Sequence, residues 1–439
     1  MASLGSAAFT ADQARPVPAL QHDPRMQRLI AGIEHAIGVQ IDTVDATFLD
    51  LGGDSLSYVQ VSILIEDLLG WLPQDWESMP ISRFADLFTK TGTAKASPWV
   101  GIETSMLVRA IAIILVLMNH AAVQLPIAAT SALFVVSGLA FARFLRPANR
   151  ATGAMLPTLS MITKFAIPAG LWQIPRAALM HTGWWLPNMV LMGTFFENPS
   201  HPVWTFWYLD VLAANLLLMS AIGWAGHVLR PRGAAAMPSA AQAFRSDFLW
   251  VGVGLAAAAV QVLSGWWDGA LGVDSVAPFK WFWMLALGVL ITDADTRSRK
   301  LQVSLLVMGL MAATYCGSDT LAAIVLRVDP FFAATVGLLV WVDRIQIPRW
   351  AYRPAVSVAS STLFIYIVNN TVINHVMPKL GLPAWTMLQV GLSLVAGIAA
   401  KTIWEIAGDA LPKLKLSTGR VARQMGLPFT AHHQAAPGD

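Results

Sequence analysis

Residues 48–57 read FLDLGGDSLS, and the reading of this stretch divides the chain in two. Two consecutive glycines, Gly52 and Gly53, precede a new apolar periodicity in which Leu56, Val59 and Ile63 fall three and four residues apart. Glycine admits backbone conformations closed to other residues, so the pair predicts a loop leading into a helix whose first turn holds Ser55. A serine at that position projects outward. The open amides and the positive end of the helix dipole favour a phosphate beside it. Upstream, PRMQRLIAGIEHAIGV from Pro24 spaces Met26, Leu29, Ile30, Ile33 and Ile37 as one apolar helix stripe. Downstream, MPISRFADLFTK repeats the pattern with Ile81, Phe84, Leu87 and Phe88 before the polar run TGTAKASP. A small three-helix bundle is expected over 24–92.

A helix-capping serine alone would account for Asp54 and Ser55, but not for Phe48, the double glycine and the flanking helices together. The whole run resembles the core motif of phosphopantetheine carrier proteins, and its LGGDSL form is nearer to peptidyl or aryl carriers than to fatty-acid carriers. The resemblance implies 4′-phosphopantetheine covalently attached to Ser55, with Asp54 beside it in cofactor binding. It also implies a phosphopantetheinyl transferase as partner and a separate adenylating, thioester-forming enzyme, because no adenylating domain is visible. The motif form tilts the expected cargo towards an amino or aryl acid.

Beyond residue 100 the character of the chain changes. It is 56% hydrophobic and 13% charged over 439 residues, about half the charged fraction of an ordinary soluble domain. Apolar runs of transmembrane length recur at 104–122, 127–145, 157–180, 203–224, 247–267, 277–292, 301–316, 320–342, 356–377 and 384–405. The expected fold is therefore all-α: a carrier-type helix bundle followed by a polytopic bundle of about ten transmembrane helices. Basic residues test the count, since even-numbered spans should end beside Lys and Arg if the N-terminus is cytosolic. Arg143, Arg146 and Arg150 follow the second span, Arg297, Arg299 and Lys300 the sixth, and Lys413, Lys415, Arg420 and Arg423 the tenth. The stretch 184–196, with Trp184 and Trp185, is read as interfacial or re-entrant on the outer side. The expected organisation is a disordered segment 1–23, the carrier domain 24–92, a linker 93–103, the membrane domain 104–405 and a cytosolic basic tail 406–439. Both termini face the cytosol of an inner membrane of bacterial type.

The net charge of +3 is small and its basic residues lie between apolar runs, so a nucleic-acid face is not indicated. Cys316 is the only cysteine, which excludes an intramolecular disulfide and a cysteine zinc cluster. No H-E-x-x-H, P-loop or dinucleotide motif is present, and no metal is expected.

Within the first span, MLVRAIAIILVLMNH places Arg109 and His120 eleven residues apart, about 16 Å along a helix. Titratable groups inside a span are costly unless they face a cavity or a partner; snorkelling at the helix ends is the bland alternative. The arginine and histidine with ten residues between them resemble the signature of the integral membrane acyltransferase-3 family. ALFVVSGLAFARFL, with Ser137 and Gly138, is similar to that family's second span. PVWTFWYLDVLAANLLL is similar to its tryptophan-rich segment followed by an acidic residue, here Asp210. STLFIYIVNNTVI is similar to its late IYLxH element, with Asn369 where histidine is common, and Lys164 stands where arginine is usual.

The family implies acyl transfer from a cytosolic thioester to a hydroxyl or amine on a glycan, lipid or small molecule. On that reading His120 is the general base, Asp210 orients it, and Arg109 acts with Lys164 and Arg143 as a basic mouth for the arm's phosphodiester. Asn370 and His375, with Trp204, are candidates for acceptor binding. Lys401 and Glu405 read as an ordinary ion pair one turn apart. The competing reading makes the bundle a transporter or anchor for a carrier-tethered intermediate, with no new bond formed.

Overall fold

The computed structural model describes residues 23–73, 75–90, 98–121, 129–152, 155–180, 186–193, 206–228, 278–315, 330–383 and 385–410. It is mostly helical, with two short strands among the described residues, and it separates into two compact units that divide at residues 97 and 98.

The first unit holds the carrier head. Helix α1 (Pro24–Ile37) starts at Asp23, whose side chain accepts from the Arg25 amide, and ends at Gly38 in the left-handed region. Helix α2 (Ser55–Leu69) follows a long loop, and α3 (Arg83–Lys90) closes the bundle after a short 3₁₀ turn at Trp76–Ser78. Met26, Leu29, Ile30 and Ile33 are buried on α1, and Ile81, Phe84 and Phe88 around α3, as their spacing predicts. Helix α2 departs from the expected stripe. Ile63 is half-buried, whereas Tyr58, Val59, Val61, Ile65 and Leu69 are all buried. The helix is covered on most of its circumference, so no single narrow face defines it. Phe48, Tyr58 and Trp76 stack in the middle, with centroids 4.8 Å apart for Phe48–Trp76 and 5.0 Å for Tyr58–Trp76.

The second unit spans Pro98–Ala407. Strand β1 (Trp99–Glu103) pairs antiparallel with β2 (Arg344–Pro348), so residues expected as linker form part of this unit. Thr104 completes the joint, its hydroxyl donating to the Val342 carbonyl at 2.5 Å. Helix α4 (Thr104–His120) leads to α5 (Ala129–Ala140), a π turn (Phe141–Leu145) and α6 (Arg146–Thr152). Then come α7 (Leu156–Met180), the short α8 (Leu186–Met189) and α9 (Trp207–Val228). They are followed by α10 (Pro278–Asp293), α11 (Arg297–Tyr315) and α12 (Pro330–Trp341). After β2, α13 (Arg349–Ser360) meets α14 (Thr362–Thr371), which runs on through a second π turn (Val372–Val376), and α15 (Thr386–Ala410) ends the described chain.

The core lies between α5 and α10. Their backbones touch because Gly138 and Gly288 face each other's helix: a Cβ on Gly138 would overlap the Leu285 carbonyl, and one on Gly288 the Val135 carbonyl. Residues without a side chain permit such close backbone approach between helices.

Three helical segments are long and apolar enough to cross a membrane, Ala129–Asn149, Trp207–Trp224 and Thr386–Ala407; a fourth is Arg349–Lys379 if its two bent halves count as one. Shorter apolar helices, Thr104–His120, Trp281–Asp293 and Phe331–Trp341, overlap the expected first, sixth and eighth spans. Among the described residues the number supported is thus three or four, where ten were expected over the chain. One reason lies at the ninth span, which bends by 70° at Ser361 and is not a straight rod. The expected fifth span (247–267), the tail beyond 410, Cys316, Trp184, Trp185 and the segment 1–22 lie outside the described residues.

Candidate functional site

In the carrier head, the two glycines have different tasks. Gly52 has φ +79°, and Gly53 lies where a Cβ would overlap the Phe48 ring. Positive φ is cheap only for glycine, and the second position is required by packing. The helix that follows is capped reciprocally. Asp54 Oδ1 accepts from the Ser57 amide and hydroxyl, both at 2.9 Å, and the Asp54 amide donates to Ser57 Oγ at 2.9 Å. The buried Asp54 carboxylate is therefore the helix cap. Ser55 is the first residue of α2; its side chain lies outside the described atoms.

In the second unit the polar groups come from widely separated stretches. His120 ends α4 and is exposed. Its Nδ1 faces Asn369 Oδ1 at 2.6 Å. Asn369 is 1% exposed, and its Nδ2 donates to the carbonyls of Ile365 at 3.2 Å and Tyr366 at 2.5 Å. Those carbonyls can only accept, so the amide nitrogen must face them and the amide oxygen must face the histidine. Nδ1 is then the protonated nitrogen and Nε2 carries the free lone pair. The group that orients His120 is thus Asn369 and not Asp210. Asp210 is 2% exposed on the first turn of α9, within electrostatic reach of Tyr366.

Arg109, three turns before His120 on α4, lies within electrostatic reach of Tyr208 and Glu103. Tyr208 Oη is 3.2 Å from Ser137 Oγ, and the Tyr208 amide donates to Tyr366 Oη at 3.3 Å. Phe134, Trp207 and Trp281 pack around this pair of tyrosines, with Phe134–Tyr208 centroids 4.7 Å apart and Phe134–Trp281 5.2 Å apart. Arg109 itself is half-buried.

The other expected cations are placed differently. Arg143 forms an ion pair with Glu103 at 3.0 Å, and Ser105 donates to the same carboxylate oxygen at 2.5 Å. Its charge is already matched, so it adds no unpaired cation to a basic mouth. Lys164 is exposed on α7. Lys401 lies 3.6 Å from Glu405, the ion pair read from their spacing, and its Nζ donates to Ser360 Oγ at 2.9 Å.

Asn370 is half-buried and accepts from Asn374 at 3.4 Å. His375 sits in the second π turn, within electrostatic reach of Arg176 and Lys379. Trp204 lies outside the described residues. Sequence reasoning missed Tyr208, Tyr366 and Arg176. The two tyrosines stood inside quoted motifs, and an arginine within a predicted span was itself a signal. No group of His, Cys, Asp and Glu able to hold a metal occurs among the described residues.

Among known families, residues 26–76 match the one described as phosphopantetheine attachment site. No curated protein matches the chain, and no solved structure does either. The head is thus a carrier domain that takes covalent 4′-phosphopantetheine on a serine, and Ser55 is the serine at the motif's helix start. Such a domain depends on a phosphopantetheinyl transferase and on loading enzymes.

Proposed function

We propose that this chain is a membrane-bound acyltransferase that moves an acyl or aminoacyl group from the arm on its own Ser55 to a hydroxyl or amine acceptor. The observation that carries the reading is the His120–Asn369 pair. A histidine held through Nδ1 by an oxygen, and exposed on its other side, is an oriented general base. An asparagine can ruin such a site by offering its NH₂ and imposing the wrong tautomer. Here the NH₂ is consumed by two helix carbonyls, so the useful tautomer is held without a carboxylate.

In the proposed step, Nε2 of His120 removes the proton from the acceptor O–H or N–H as that atom attacks the thioester carbonyl. The tetrahedral intermediate collapses, the C–S bond breaks, and the arm's thiolate recovers the proton from the imidazolium. Arg109, within electrostatic reach of Tyr208, is the group proposed to meet the arm's phosphodiester. The likeness of the Arg109–His120, Ser137–Gly138 and Asp210 stretches to the acyltransferase-3 family supports this assignment. Carrying the donor on the same chain raises its effective concentration to roughly the millimolar range, with no free coenzyme A required.

A promiscuous phosphopantetheinyl transferase and a panel of radiolabelled acyl-coenzyme A compounds load Ser55 directly, which bypasses the loading enzyme. The loaded full-length protein is then mixed with host membranes as the source of acceptor. Label should pass to the membrane fraction with wild type and stay on the protein with His120→Ala. Equal loss from both would remove His120 from the chemistry. Label that crosses the vesicle membrane while still bound to the arm would favour transport.

A further inference from the structure

Two half-buried cations in this bundle come with carboxylates: Arg143 with Glu103, and Arg146 with Asp293 in a bidentate pair. Arg176 on α7 does not. It is 8% exposed, and its one hydrogen bond among the described residues runs from NH1 to Gln173 Oε1 at 3.1 Å. Among the described residues Arg176 Nε has no hydrogen-bond partner, and neither does Gln173 Nε2 on a side chain 7% exposed. Turning the Gln173 amide over would not help, because it would set an NH₂ against the guanidinium. His375 lies within electrostatic reach of Arg176, so the described groups at this corner are the guanidinium, the Gln173 Nε2 donor and an imidazole.

An unpaired buried guanidinium is among the costliest things a bundle can hold. Buried donors that find no acceptor among the described residues are complementary to an oxyanion. The corner is fixed by the contact of α7 with α14, where Trp172 Nε1 donates to Thr371 Oγ1 at 3.3 Å. Arg176 follows Trp172 by one turn, and His375 follows Thr371 in a π turn, a feature frequent at functional sites. His375 lies roughly 9 Å along the helix from Asn369, the residue that holds His120.

We infer that Arg176 and Gln173, with His375, form an anion-recognising subsite for the acceptor. The acceptor then carries a carboxylate or phosphate about two helical turns from the atom that is acylated. This specificity rests on the acyltransferase reading, but the anion site itself can be tested without any acyl transfer.

Full-length protein in nanodiscs of neutral phosphatidylcholine is titrated with glucuronate, with glycerol 1-phosphate, or with phosphatidylglycerol in the lipid, and its unfolding temperature is followed. Wild type should be stabilised in a saturable way by at least one of the three. The first points to an acidic sugar, the second to a free phosphate ester, and the third alone to a lipid headgroup. Arg176→Lys should weaken the half-saturating concentration by about tenfold. Arg176→Met should abolish the response while unfolding at the same or a higher temperature without ligand, because it removes an unpaired charge. No response from wild type to any probe, or an unchanged response in a folded Arg176→Met, overturns the inference. If anion binding disappears in Arg176→Met but His120→Ala still discharges, the subsite stands and the transferase reading falls. If discharge depends on His120 and wild type binds no anion, the reverse holds.

Discussion

The two units of this chain place their chemistry in opposite ways. The head concentrates it in ten consecutive residues, 48–57, where a loop, a cap and an attachment serine follow one another. The helical unit assembles its candidate site from residues as far apart as His120 and Asn369, 249 positions along the chain. A contiguous site is specified by local rules of turns, caps and glycine. A dispersed one exists only after the helices have packed, so its fate is tied to the stability of the whole unit.

The largest effect that separates the two is Ser55→Ala. Attachment of the arm should be lost completely, as seen by intact mass, while the head keeps wild-type helix content by circular dichroism. Next is Gly138→Val, which drives a branched side chain into the Leu285 carbonyl. It should destabilise the helical unit by about 3 kcal/mol or more, visible as detergent-induced aggregation, while Ser55 is still loaded at the normal rate. Loading that failed in parallel would mean the units do not fold separately.

Asn369→Leu removes the oxygen that holds the histidine tautomer and should slow discharge of a loaded arm by roughly a hundredfold, measured in single turnover. Asn369→Asp keeps an acceptor towards the histidine but sets its other oxygen against the Ile365 and Tyr366 carbonyls, so its rate should fall between those of Asn369→Leu and wild type. Equal loss in both would show that Asn369 serves packing alone.

In the head, Gly53→Ala should cost about 1–3 kcal/mol by displacing the Phe48 ring. Combining it with Phe48→Leu should cost less than the two changes summed, a coupling that denaturant titration of the isolated 24–92 segment can read.

The smallest expected effect concerns acid. Hydrogen bonds from the Arg25 side chain and amide hold the Asp23 carboxyl below its ordinary value of 3.8. A carboxyl depressed in the folded state contributes stability above its unfolded pKa, and that contribution is lost as pH falls through the folded value. Asp23→Asn should therefore lower the unfolding temperature slightly near neutrality and converge with wild type in strong acid.

The same contrast explains what could be read in advance. Gly52, Gly53 and Ser55 were legible because backbone geometry at a turn depends on neighbours in sequence. The apolar stripes of α1 and α3 were legible because each helix buries one face; α2, covered on most sides, offered no such stripe, and Ile63 was misplaced on it. In the helical unit the apolar runs stood out, but the bend at Ser361 leaves no mark in hydropathy. Pairing was the least visible feature. Nothing in the local sequence tells that Arg143 meets Glu103 or that Arg176 meets no carboxylate among the described residues, because those facts depend on which helices come to lie side by side. Asn369 drew notice only as a departure from a motif, and packing then made it the partner of His120 in place of Asp210.

The central claim, that the arm on Ser55 is the donor and His120 discharges it, is tested most directly inside the producing cell. Wild type, His120→Ala and Asn369→Leu are purified under acid quench, and the loaded fraction of Ser55 is read by mass spectrometry of the peptide that contains it. The account predicts mostly empty arms in wild type and mostly acylated arms in both variants. Equal loading in all three would contradict it.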